Sequence, residues 1–140
     1  IKLPDLRVIF EAKFLKAKEL DVWVSMEVPE PITVYPIYPL DWIYVLSTIL
    51  DHVIDQAKDS QNKYLSYAYF KDEDSQHFVV ESSSTKEDSA ITSDFSDPEL
   101  KRVNKILSTY PNVNIVSNTR AGIYRLQIEI DMTKGGYNDY

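Results

Sequence analysis

The sequence predicts an α+β fold: a two-layer α/β sandwich whose mixed, mostly antiparallel sheet carries its helices on one face. Three observations predict it. Residues 39–60 (PLDWIYVLSTILDHVIDQAKDS) repeat apolar side chains at spacings of three and four, the signature of one long amphipathic helix. Residues 63–70 and 76–82 alternate with period two around the polar turn KDEDS, as a hairpin does. A helix start at Ser96-Asp97-Pro98-Glu99 precedes two further alternating stretches, 113–117 and 123–131.

Taken in order, residues 3–20 read as a helix. Leu6, Ile9, Phe10, Phe14 (or Lys13) and Ala17 face one way, and Lys13, Lys16 and Lys18 stay in water. Pro4 and Asp5 suit its first turn. Residues 21–28 alternate as a strand, with Val22, Val24, Met26 and Val28 on one side. Pro29-Glu30-Pro31 is a turn, and residues 32–35 form a short second strand. In the long helix, Ile43, Leu46, Leu50, Val53 and Ala57 form the apolar stripe, widened by Trp42, Val45, Ile49 and Ile54. Thr48, His52 and Gln56 step along a polar strip beside Asp51, Asp55 and Asp59. The helix thus has a buried face and a face of groups able to bind something. Leu65, Tyr67 and Tyr69 share one side of the next strand; Phe78 and Val80 oppose His77, Val79 and Glu81 on its partner.

Residues 82–96 (SSSTKEDSAITSDFS) are polar and lack periodicity. They read as a surface loop with one helical turn, or as a lid over a site. Ser96 caps the following helix, Pro98 fits its first turn and Glu99 completes a capping box. Leu100, Val103, Leu107 and Tyr110 are its buried face, and Pro111 stops it. A turn over 118–122 joins the last two strands, where Leu126, Ile128 and Ile130 alternate with Arg125, Gln127 and Glu129. The expected organisation is one domain over 1–131 and a frayed tail over 132–140.

Composition narrows the function. A chain of 140 residues with 44% hydrophobic content buries a real core. A net charge of −7 argues against nucleic acid as a partner. With no cysteine there is no disulfide or thiolate metal site, and two histidines, His52 and His77, are too few and too separated for zinc. No apolar run approaches the roughly 20 residues that span a bilayer, and no signal peptide is visible. The start at Ile1 without Met is expected of a piece of a longer protein. The three glycines, Gly122, Gly135 and Gly136, all lie late, which removes P-loop and Rossmann fingerprints before residue 121.

Four stretches together carry a family resemblance: FLKAKELDVWVSMEVPEPI (14–32), LSTILDHVIDQAKDS (46–60), SYAYFKDEDSQHFVVESS (66–83), and LKRVNKILSTYPNVNI with the later AGIYRLQIEI. Their order resembles the Bergerat-type ATP-binding domain of gyrase, heat-shock chaperones and sensor histidine kinases. It is more closely similar to the catalytic domain of the peptide-pheromone-sensing (quorum-sensing) histidine kinases. The resemblance implies ATP and Mg²⁺ as cofactors, bound between the long helix and the loop before the last helix. Gln56 falls where the family's N-box Asn holds magnesium, its carbonyl on a stem longer by roughly 1.5 Å. His52, one turn earlier, is a polar contact or a base. Ser82 falls on the Asn of the family's Glu-Asn pair. The family's glycine-rich loop is replaced by SDFSDPELKRVNKIL, so Asp94 and Asp97 stand where phosphates would lie. Ser84, Thr85, Lys86, Lys101 and Arg102 remain as anion contacts, and no catalytic residue is singled out.

Two functions follow as expectations. One is the ATP-binding domain of a two-component sensor kinase with a divergent pocket, passing the γ-phosphoryl to a His elsewhere. The other is a pseudokinase module serving dimerisation or response-regulator docking. The implied partners are ATP, a response regulator and a homodimer formed through an upstream region. The membrane is reached only through the parent protein, with this domain in the cytoplasm.

Overall fold

The computed structural model describes residues 3–29 and 31–133. Along them run α1 (Pro4–Glu19), β1 (Trp23–Glu27), α2 (Pro39–Lys58), β2 (Tyr64–Lys71), β3 (Ser75–Ser83), α3 (Pro98–Leu107), β4 (Val113–Arg120) and β5 (Ile123–Asp131). The strands form one sheet in the order β1-β2-β3-β5-β4. β1 pairs with β2 in parallel and every other pair is antiparallel. This is the expected two-layer α+β sandwich.

α2 is the hub, touching α1, α3, β2 and β3. Its buried residues are Trp42, Val45, Leu46, Ile49, Leu50, Val53, Ile54 and Ala57, with His52 among them. The period-two pattern lays the sheet's side of the core out in cross-strand rows. Tyr69, Phe78, Ile128 and Ile115 make one row; Tyr67, Val80, Leu126 and Ser117 make the next. The row beyond, Leu65, Ser82, Tyr124 and Thr119, turns polar although all four side chains are buried. That polar row lies toward the end of α2 and the start of α3.

Polar links fix the elements to one another. Trp42 Nε1 donates to the Tyr69 hydroxyl (3.1 Å), which donates to Gln76 Oε1 (2.6 Å). At the exit of α2, Ser60 Oγ donates to Ala57 O and lies 2.5 Å from Ser83 Oγ. Ser83 Oγ also accepts from Tyr64 N (2.9 Å), so one hydroxyl ties α2, β2 and β3 together. α1 ends in a Schellman turn: Val22 N donates to Ala17 O and Asp21 N to Lys18 O, with Asp21 at φ 59°.

The structure corrects several expectations. Residues 32–38 are irregular rather than a strand, although Ile32, Tyr35 and Ile37 are buried. Pro31, Pro36 and Pro39 remove backbone donors there, and Val34 O is satisfied by Gln76 Nε2 at 2.9 Å. Of the alternatives Phe14 and Lys13, Lys13 is the half-buried one and Phe14 is 45% exposed; Met26 is 57% exposed on β1, which is the edge strand. The turn over 118–122 is tighter: β4 runs to Arg120, and only Ala121 and Gly122 turn, both at positive φ as a type I′ turn requires. The Pro29-Glu30-Pro31 turn includes residue 30, outside the described residues, as is the tail from residue 134 onward.

Candidate functional site

A cleft of about 540 Å³ opens over the polar row. One wall is the last turns of α2, with His52, Asp55, Gln56 and Asp59; opposite are Ser84, Thr85 and Lys86 after β3, and Asp97, Pro98 and Glu99 at the start of α3. An inner cavity of about 210 Å³ continues from it, sharing His52, Lys86 and Asp97, and reaches Ser117, Thr119 and Tyr124 on β4 and β5.

The spacing of four on α2 sets His52 beside Gln56, with Gln56 Nε2 2.6 Å from His52 Nε2. With the amide donating, His52 Nε2 is the bare acceptor and the ring proton sits on Nδ1, 3.7 Å from Asp97 Oδ2. The ring meets Tyr124 edge-on, centroids 5.9 Å apart. Burial holds the His52 pKa below its ordinary 6.5; the nearby Asp97 carboxylate opposes that and the Lys86 ammonium reinforces it. That shift favours the uncharged ring. The mouth carries Asp55, Asp59, Asp97 and Glu99 against one ammonium, that of Lys86.

α3 begins one residue later than Ser96 predicts. Asp97 is its N-cap: Glu99 N and Leu100 N donate to Asp97 Oδ1 at 2.9 and 3.2 Å. The physical reason is Pro98, which favours the first helical position and so makes the residue before it the cap. The amides that a helix N-terminus would offer an anion are thus engaged by the chain's own carboxylate.

Three of the sequence candidates, His52, Gln56 and Lys86, come together around the cleft. Ser82 does not line it. It is fully buried in the polar row beneath, opposite Tyr124, and its Oγ has no hydrogen-bond partner. Gln56 Oε1 is also buried without a partner, and the Tyr124 hydroxyl is closed off from solvent with the Ser117 hydroxyl beside it. Burial pushes the Tyr124 pKa up to about 12. Ser84 and Thr85 line the cleft; Lys101 and Arg102 line neither space. Tyr124, Ser117 and Thr119 were missed by the sequence reading. Their signal was strand alternation: Tyr124 is in register with Leu126, and Ser117 and Thr119 with Ile115.

The loop of 82–96 carries no helical turn and does not hang over the cleft as a free flap. It runs along the outer edge of β4, where Thr92 and Ser117 exchange backbone hydrogen bonds (2.9 and 2.8 Å) and Ser89 N donates to Thr119 O (2.8 Å). Ala121 N donates to Asp88 Oδ1 (2.9 Å). The loop so forms a wall of the inner cavity.

These residues fit a triphosphate poorly. The α3 amides are taken, the mouth is acidic, and no glycine lets backbone approach phosphate. For magnesium, Gln56 Oε1 is one acceptor without a partner, but among the described residues no three His, Asp or Glu gather at metal-ligand spacing.

No protein-family model and no curated protein matches the sequence. Solved structures do. The catalytic domain of histidine kinase ThkA in a nucleotide-free form superposes with a TM-score of 0.72 at 13% identity, over 91% of each chain. The fold is that of histidine-kinase catalytic domains. The cytoplasmic segment of histidine kinase QseC matches at a TM-score of 0.62 and 12% identity, over 98% of this chain and 74% of that one. ThkA in complex with the response regulator TrrA matches at 0.72 and 13%, over 95% of this chain and 41% of that one. At such identities the likeness is one of fold. Among the described residues, no helix is long and apolar enough to cross a membrane.

Proposed function

We propose that this chain is the ATP-binding-type domain of a two-component sensor histidine kinase whose nucleotide cleft has diverged until it no longer grips a triphosphate. The observation that carries the reading is Asp97. Its carboxylate occupies the α3 N-terminal amides at the place where the fold's nucleotide phosphates are expected. The three further carboxylates at the mouth add to the repulsion. The domain then acts as a pseudokinase module, docking a response regulator or a second copy of the parent. The ThkA–TrrA complex supports the regulator as partner, and the QseC cytoplasmic segment supports a cytoplasmic placement. The peptide-pheromone subclass rests on the sequence resemblance alone.

Gln56 favours a second reading. Its unpartnered oxygen sits at the N-box position and is of the atom type that magnesium takes. In that reading Mg-ATP binds, and the domain supplies phosphoryl transfer to a His of the parent by positioning and charge neutralisation. Calorimetric titration with Mg-ATP separates the two. Absence of heat at millimolar ligand is the expected result; micromolar affinity restores the kinase reading.

A further inference from the structure

β1 is the end strand of the sheet, and its main-chain groups divide between two sides. Trp23 N donates to Lys63 O at 2.8 Å, so Trp23, Ser25 and Glu27 turn their backbone toward β2. Val24 and Met26 therefore turn their N–H and C=O groups away from the sheet, where no strand meets them among the described residues. The same margin gathers apolar side chains. Of the eight large ones exposed among the described residues, five stand on α1 and β1: Val8, Phe14, Leu15, Trp23 and Met26. A groove of about 700 Å³ runs between Phe14 and Leu15 of α1 and Met26 and Val28, and reaches Tyr67. The Tyr67 hydroxyl donates to Met26 Sδ (2.8 Å), which holds the thioether on the helix-bearing face. The two charges that line the groove, Arg7 and Glu11, stand 3.9 Å apart and answer one another.

What fits such a margin is one more strand, its backbone on Val24 and Met26 and its inward side chains in the groove. The segment WVSME supplies one itself. Turned about a two-fold axis at Ser25, a second β1 runs antiparallel to the first with Val24 opposite Met26, each such pair exchanging both main-chain hydrogen bonds. Trp23 then faces Glu27, and no like charges meet. A shift of the axis toward the N-terminus calls on Val22 N, already given to Ala17 O (2.8 Å). A shift the other way calls on Val28, past the end of β1, or sets Glu27 against Glu27. We propose that a second copy of this chain fills the margin: two chains pair β1 to β1 about Ser25, with the two α1 helices side by side on one face. Val24 and Met26 of each chain then face the groove of the other. The inference goes beyond the nucleotide reading and stands on the sheet edge alone.

The test is sedimentation equilibrium of the 140-residue chain from about 1 μM to about 1 mM. The expected result is a rise from 16.2 kDa toward twice that mass as concentration increases. Met26→Pro removes an edge N–H, and Leu15→Lys places a charge in the groove. Each should weaken the dimer at least about tenfold, with circular dichroism as the check on folding. The chain has no cysteine, so Ser25→Cys introduces a single thiol. In the proposed pairing the two copies of residue 25 are a non-hydrogen-bonded pair with Cα atoms about 4.5 Å apart, within disulfide reach, whereas the two copies of residue 27 stand about 14 Å apart. Diamide should therefore link Ser25→Cys into a disulfide dimer and leave Glu27→Cys largely unlinked. A chain that keeps the monomer mass throughout overturns the inference, while the nucleotide reading stands or falls on its own titration. A dimer that neither Met26→Pro nor Leu15→Lys weakens also overturns it, as does one that links as readily through Glu27→Cys, since such a dimer uses another surface or another register.

Discussion

Asp97→Ala tests the idea that the chain blocks its own anion site. Its carboxylate accepts from Glu99 N and Leu100 N at 2.9 and 3.2 Å, so alanine leaves both amides to solvent. Loss of a helix N-cap costs about 1 kcal/mol. An unfolding entropy of about 2.1 cal/mol/K per residue gives about 0.3 kcal/mol/K over 140 residues. The melting temperature should therefore fall by about 3 °C. Asp97→Asn, which still caps, should stay within about 1 °C. The second effect is a gain. A unit charge about 4 Å from a phosphate repels it by about 1 kcal/mol in water and about 4 kcal/mol near a protein surface. Asp97 is one-third exposed, so the lower figure is the safer one and predicts at least about a fivefold rise in anion affinity. Titration with pyrophosphate at low salt reads this directly. Asp97→Asn removes the charge without releasing the amides and should gain less than alanine. If Asp97→Ala binds pyrophosphate no better than the unaltered chain, the carboxylate is not what excludes phosphate.

Tyr69→Phe keeps the ring but strands Trp42 Nε1 and Gln76 Oε1, both buried, and should lower stability by about 2–4 kcal/mol in urea titration; a change under about 0.5 kcal/mol discards the relay as a stabilising link. His52 has a folded-state pKa below 6.5, so the unfolded chain binds more protons as pH falls through 6.5, and stability is lost from there down to the folded-state pKa. Urea midpoints between pH 7.5 and 5 should show that slope, and His52→Gln should flatten it; an unchanged slope in the variant assigns the loss to other groups. Asp21→Gly relieves an aspartate held at φ 59° in the α1 Schellman turn and should stabilise by up to about 1 kcal/mol, read as a higher urea midpoint.

Most of the architecture was legible because its signals are periodic. The stripe of α2 and the alternation of β2, β3 and β5 each specify a buried face, and the sheet assembles those faces side by side. What escaped was set by partners distant in sequence. Residues 32–38 have strand-like residues, but prolines and the side chain of Gln76, 42 residues from Val34, decide their hydrogen bonding. Ser82 and Ser83 fall in a stretch that reads as a surface loop or a lid, yet with Ser60 they are buried where α2 and β3 meet. In the site, the step of four on α2 placed His52 beside Gln56, and the loop supplied Lys86. Tyr124 was hidden because a tyrosine in an alternating strand reads as core, and its place beside His52 and Ser117 is set by elements far apart in sequence.

The strap that residues 88–92 lay along β4 settles how this sheet can meet another. Ser117 and Thr119 have both their main-chain groups engaged by it, so that margin has little left to offer a foreign strand. Among the described residues nothing pairs with the opposite margin, β1, which carries Trp23 at 73% exposure. A sheet open on one side only can be extended once. Two chains joined there would use up each other's free edge, so accidental pairing would stop at two and not run on into fibres.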